Sequence, residues 1–179
     1  MKLRAFCLVL AVLSSGLVLP AQEKEPPTAQ TKRGRDLFLK SPKGTACATC
    51  HSMAGIGTAV GPNLKTLTSL ATPRGLVSAI QMQMTENVQQ VKTASGTFPG
   101  IQKQKQGDEI QIWDLSANPP ELRTFTSKDI VSMTRDDKWK HPPASADYTS
   151  QELADIIGFL KWATNGSTKE IKAAEIEGN

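Results

Sequence analysis

The spacing of apolar and polar positions changes several times along this chain of 179 residues, and each change predicts an element. At the N-terminus Lys2 and Arg4 precede an unbroken apolar run from Ala5 to Leu13, which continues with interruptions to Leu19. Small residues and then a polar stretch follow, which is the layout of a secretory signal peptide, residues 1–21, cleaved after Ala21. Ala5 to Leu19 is 15 residues, short of the roughly 20 that a membrane-spanning helix needs. Leu19 fits the cleavage site poorly, so an uncleaved N-terminal anchor stands as the alternative. Residues 22–31, with Pro26 and Pro27 and no apolar period, read as a flexible linker.

A helical pattern begins at about Lys32 and ends near Lys40, because Pro42 disfavours helix at Ser41. Thr72 as cap and Pro73 at the first helical position open a second helix. It carries Leu76, Val77 and Ile80, with room to extend through "QMQMTE". Between residues 88 and 127 the period shortens to two, as in Ile110 and Ile112 around Gln111. Turn signals at Ser95-Gly96, Gly107-Asp108 and "SANPP" then predict a meander of three or four short antiparallel strands. The clearest element is the last. Thr149 and Glu152 form a capping box, Leu153, Ile156, Ile157 and Leu160 share one face, and Asn165-Gly166 stops the helix. Residues 167–179 read as a C-terminal tail with little to bury beyond a helical turn in "IKAAEIE".

Charge changes the picture only by exclusion. Removing residues 1–21 takes away Lys2 and Arg4 and no acid, so the formal charge falls from +4 to +2. No basic stripe of the kind nucleic acid requires is present.

The chemistry lies in "CATCH", residues 47–51. C-x-x-C-H is the attachment signature of haem c. One helical turn presents the thiols of Cys47 and Cys50 to the two vinyl groups of the macrocycle, and the imidazole of His51 becomes the proximal iron ligand. A thioredoxin-like pair would want a βαβ setting, and nothing like a strand precedes Cys47. A zinc site would need two more ligands, and the chain outside this motif offers one further histidine, His141. A plain disulfide leaves His51 without a role. Attachment outside the cytoplasm agrees with the export signal, which predicts a periplasmic or otherwise exported protein.

Around this motif, "RGRDLFLKSPKGTACATCHSMAGIGTAVGPNL" (33–64) resembles the opening of a class I c-type cytochrome. The resemblance implies a mainly α fold: a cytochrome c-like helical haem domain over 32–166, here with a small inserted antiparallel β-meander over 88–127. It also implies that the first and last helices cross tightly, with Gly34 and Phe38 against Phe159 or Trp162. The Pro62 carbonyl would accept the Nδ1–H of His51, which orients a metal ligand from outside the coordination sphere. Leu64 would pack on the ring.

In the bacterial subgroup that the middle of the chain resembles, a Met-Pro dipeptide before the last helix usually supplies the distal ligand. Here that place reads His141-Pro142. The expected distal ligand is therefore His141, giving bis-histidine ligation. Met133, Met82 and Met84 stand as alternatives, Met133 first among them, and so does an open site; Met53 lies too close to His51 in sequence to reach the opposite face. The expected function is that of an exported monohaem one-electron carrier, not an enzyme. Its partners would be redox proteins, a periplasmic dehydrogenase or a terminal acceptor, with membrane contact only if the N-terminus is uncleaved. The alternatives are a haem-based small-ligand sensor with a displaceable sixth position, or an electron-transfer subunit of a larger periplasmic dehydrogenase.

Overall fold

Two separate apolar clusters organise the chain, one among helices and one on a sheet. The computed structural model describes residues 25–81, 87–142 and 148–177. The expected signal peptide and the methionines Met82 and Met84 lie outside the described residues. Among the described residues no helix is long and apolar enough to cross a membrane.

Helix α1 spans Ala29–Leu39, capped by Thr28, whose side chain accepts from the Thr31 backbone. It thus begins inside the segment expected to be linker, and Gln30 and Thr31 are buried. The reason is tertiary. Gln30 exchanges two hydrogen bonds with the Ile171 backbone, Nε2 to O at 2.7 Å and N to Oε1 at 2.9 Å. The same pairing anchors the C-terminal segment, where Ile171 and Ile176 enter the helical core around a short 3-10 turn at Ala173–Glu175. Ile171 and Ile176 are therefore packed, where the sequence offered a tail with little to bury.

Helix α2, Leu64–Leu70, is capped by Asn63, and α3 is Pro73–Gln81. Thr72 receives the Gly75 N–H on its hydroxyl, so the expected cap is in place. Helix α4, Ser150–Asn165, has both hydrogen bonds of the Thr149/Glu152 capping box and ends on Gly166 in the left-handed region. Its face of Leu153, Ile156, Ile157 and Leu160 is buried. Helices α1 and α4 cross closely at Gly34, where a Cβ would stand 1.8 Å from the Asp155 carbonyl oxygen. Phe38 and Phe159 meet beside this point with ring centroids 5.4 Å apart, and Arg33 grips Asp155 through two hydrogen bonds. Trp162 instead donates to the Glu25 carbonyl. Lys161 of α4 donates to the carbonyls of Thr68 and Ala71, which ties down the C-terminal end of α2.

Between α3 and α4 lies a five-stranded antiparallel sheet: β1 Gln89–Thr93, β2 Gly96–Gln106, β3 Glu109–Asp114, β4 Glu121–Thr126 and β5 Ile130–Arg135. The first four form a meander with turns where the sequence signals stand. Strand β5 then returns to the far edge and pairs with β1, giving the order β4-β3-β2-β1-β5. The expectation of a mainly α chain carrying a small meander over 88–127 is corrected here, since helices share the fold with a sheet that runs on to Arg135. Val91, Phe98, Ile110 and Ile112 form the sheet's own core, with Arg123 stacked over Phe98 and Phe125 and paired with Asp114.

Candidate functional site

The Cys47–Thr49 stretch is a single 3-10 turn, and the His51 N–H returns to the Cys47 carbonyl at 2.8 Å. Cys47, Cys50 and His51 are thus fixed on one turn, and both cysteines are unbridged. Burial pushes the Cys47 thiol up to about 11 and raises Cys50 as well, which keeps both as neutral thiols. Burial lowers the pKa of His51, against the opposing effect of its bond to Pro62, and the nearby His141 lowers it further. The imidazole is held neutral, the form that ligates a metal.

The loop after the motif folds back over this turn. Thr58 donates to the Ala48 carbonyl, and Val60 and Gly61 both donate to that of Cys50. Two glycines make the approach feasible. At Gly57, with φ +84°, a Cβ would lie 2.3 Å from the His51 carbonyl oxygen; at Gly61 it would lie 2.6 Å from His51 Cε1. The Pro62 carbonyl oxygen stands 3.0 Å from His51 Nδ1. With the proton on Nδ1 directed to Pro62, Nε2 is left as the free lone pair. Leu64 starts α2 and packs against the helical core.

His141 arrives from the sheet. Strand β5 delivers the chain to Asp136, whose side chain accepts from the backbone N–H of Lys138 and of Trp139, each at 3.0 Å. Trp139 meets His141 edge-on, with centroids 6.2 Å apart and planes at 89°. The His141 imidazole faces that of His51, with ring centroids 6.1 Å apart and planes at 38°. Its Nδ1 lies 2.8 Å from the Pro142 carbonyl oxygen, so each imidazole has Nδ1 engaged by a proline carbonyl. Met133 sits on β5 opposite Val91 and packs against the sheet core. Met53 is buried in the helical core. Asp136 and Trp139 were not singled out from sequence, although an aspartate two and three residues before its backbone donors is the pattern of a local Asp-backbone turn.

This arrangement fits a covalently held haem. The thiols of Cys47 and Cys50 are free, the Pro62 contact at Nδ1 leaves His51 Nε2 open, and Gly61 removes the side chain that would collide with that imidazole. Comparison with curated proteins yields no match. Residues 31–117 match the family model for cytochrome c, which covers most of α1, the Cys47–His51 turn and the strands β1 to β3. Match and geometry agree on the same loop: residues 31–117 are a cytochrome c domain, and with it come covalently attached haem c and electron transfer with redox partner proteins.

Proposed function

We propose that this cytochrome is an exported monohaem one-electron carrier with His51 and His141 as its two axial ligands. One observation carries the ligation: the two imidazoles face each other with centroids 6.1 Å apart. Two imidazoles on opposite sides of one metal, each bonded at about 2 Å, set their ring centres roughly 6 Å apart. The Nδ1 contacts of both rings with proline carbonyls support the same assignment, since each leaves Nε2 for the iron. The packing of Met133 on the sheet core favours His141 over it.

Haem c supplies a one-electron iron couple. The chain retains it through Cys47 and Cys50, orients His51 through Pro62, and fills the second axial position with His141. Imidazole lacks the potential-raising effect of a thioether, so the couple lies lower than in a methionine-ligated relative. With both positions filled, the protein exchanges electrons with a periplasmic dehydrogenase or a terminal acceptor and performs no substrate chemistry. The apolar N-terminal run and the extracytoplasmic chemistry of haem attachment support export.

Low-temperature EPR of the oxidised protein beside its His141→Met and Met133→Ala variants tests the ligation. The His141→Met spectrum is expected to change and the Met133→Ala spectrum to match the native one. An unchanged His141→Met spectrum removes bis-histidine ligation. Rapid carbon monoxide binding by the native reduced protein would favour the ligand-sensing alternative.

A further inference from the structure

We propose that Asp136 is the positioning residue for the distal side of the haem: it ties the loop that carries His141 to an inner strand of the sheet. This rests on the reading of His141 as the distal ligand.

Asp136 is 3% exposed and directly follows β5. Its Oδ1 accepts from the backbone N–H of both Lys138 and Trp139. Its Oδ2 accepts from Gln90 Nε2, and its own N–H donates to the Val88 carbonyl at 2.9 Å. Gln90 lies on β1, which is hydrogen-bonded on one side to β2 and on the other to β5. Asp136 therefore connects an interior strand to the turn from which His141 departs.

Burial gives this contact its meaning. A carboxylate removed from water is costly unless compensated, and among the described residues the ion pairs near it join Arg135 to Asp137, not to Asp136. The donors to its carboxylate among the described residues, Gln90 Nε2 and the backbone of Lys138 and Trp139, are all amide N–H groups. An apolar side chain would fill the same space without that cost, but it would leave two backbone N–H groups and Gln90 unanswered and the turn unspecified. The turn, in turn, fixes the ligand. Only Lys140 separates Trp139 from His141, the indole lies edge-on against the imidazole, and Pro142 restricts the His141 backbone to extended conformations. Once the Trp139 N–H is held, little freedom remains by which His141 could turn away from His51.

The test uses the haem-loaded, processed protein and its Asp136→Ala, Asp136→Asn, Gln90→Leu and His141→Ala variants. The readouts are EPR of the oxidised form and the rate of carbon monoxide binding to the reduced form. Asp136→Ala is expected to show part of the EPR signal of His141→Ala. Its carbon monoxide rate should rise about tenfold or more, because losing the two turn-closing hydrogen bonds raises the population with His141 released. Asp136→Asn keeps an oxygen for the same two N–H groups and is expected to restore the native spectrum. Native EPR and a native rate in Asp136→Ala would overturn the proposal, as would equal damage in the Ala and Asn variants, which indicates lost packing alone. If Asp136→Ala fails to fold, Gln90→Leu decides: a shift in the same direction supports the brace, and native behaviour sinks it. An altered His141→Ala with a native Asp136→Ala removes the brace alone; a native His141→Ala removes the ligation reading and the brace with it.

Discussion

The two sides proposed for the haem site, proximal at His51 and distal at His141, are built by opposite means. On the proximal side, His51 and the carbonyl that orients it are 11 residues apart, and one loop supplies thiols, imidazole, glycines and proline. On the distal side, the brace behind His141 joins residues 46 apart in sequence, across a sheet edge. A short loop that closes on itself forms its contacts at small entropic cost; a long one depends on the sheet already being folded. The proximal geometry is a local property of the chain, and the distal geometry is a consequence of tertiary structure. If so, the two can be damaged independently.

The largest effect is expected where the helical framework under the proximal turn is opened. Phe38 is fully buried against Phe159, and Phe38→Ala should cost about 4 kcal/mol, measured by denaturant unfolding of the haem-loaded protein. Both sides should be lost together, since α4 closes the chain after the distal loop. Ile112→Ala, in the fully buried centre of the sheet core, should cost about 3 kcal/mol with a different signature. Thermal melts followed by the haem spectrum should show the distal ligation change before the helices unfold; a single coincident transition would erase the distinction between the sides. Gly61→Ala aims at the proximal side alone. Its Cβ would press on His51 Cε1, and overpacking of this kind costs about 2 kcal/mol. The EPR spectrum should change while thermal protection of the sheet amides, read by hydrogen exchange, remains native.

The smallest effect is electrostatic and spares both sides. Glu152 is held down to about 2 by the Lys43 ammonium and by the Thr149 N–H of its capping box. A carboxylate with a lowered folded pKa contributes stability that is complete above its unfolded value, near 4.5. That contribution is lost as pH falls toward the folded value of about 2. Glu152→Gln should therefore flatten the acid limb of the stability profile in that window and leave the haem spectrum unchanged at neutral pH.

Legibility in the sequence follows the same division. The α4 cap and stop, the Thr72 start of α3 and the Cys47–His51 turn are readable because each is written in adjacent or helically spaced residues, while the Gly34–Phe38 crossing came from the resemblance to class I c-type cytochromes. Helix α2 was not read, since seven residues give too little periodicity and Leu67 and Leu70 face outward, Leu70 at 82% exposure. Strand β5 was missed for a related reason: Val131 is 62% exposed, so its alternation is weak and its identity comes from pairing with β1. The start of α1 and the packing of Ile171 and Ile176 were hidden because Gln30 and Ile171 satisfy each other across 141 positions.

By itself the sequence determined the covalent chemistry and the two helices that frame it, and pointed to His51 as the proximal ligand, because thiol spacing and apolar period act over a few residues. It also supplied His141 as a candidate. Only the tertiary structure decided that a five-stranded sheet, closed by β5 against β1, brings the distal loop to the proximal turn. The physical reason is that strand pairing and a buried carboxylate draw their stability from partners far along the chain, and no local pattern encodes which distant partner will be met.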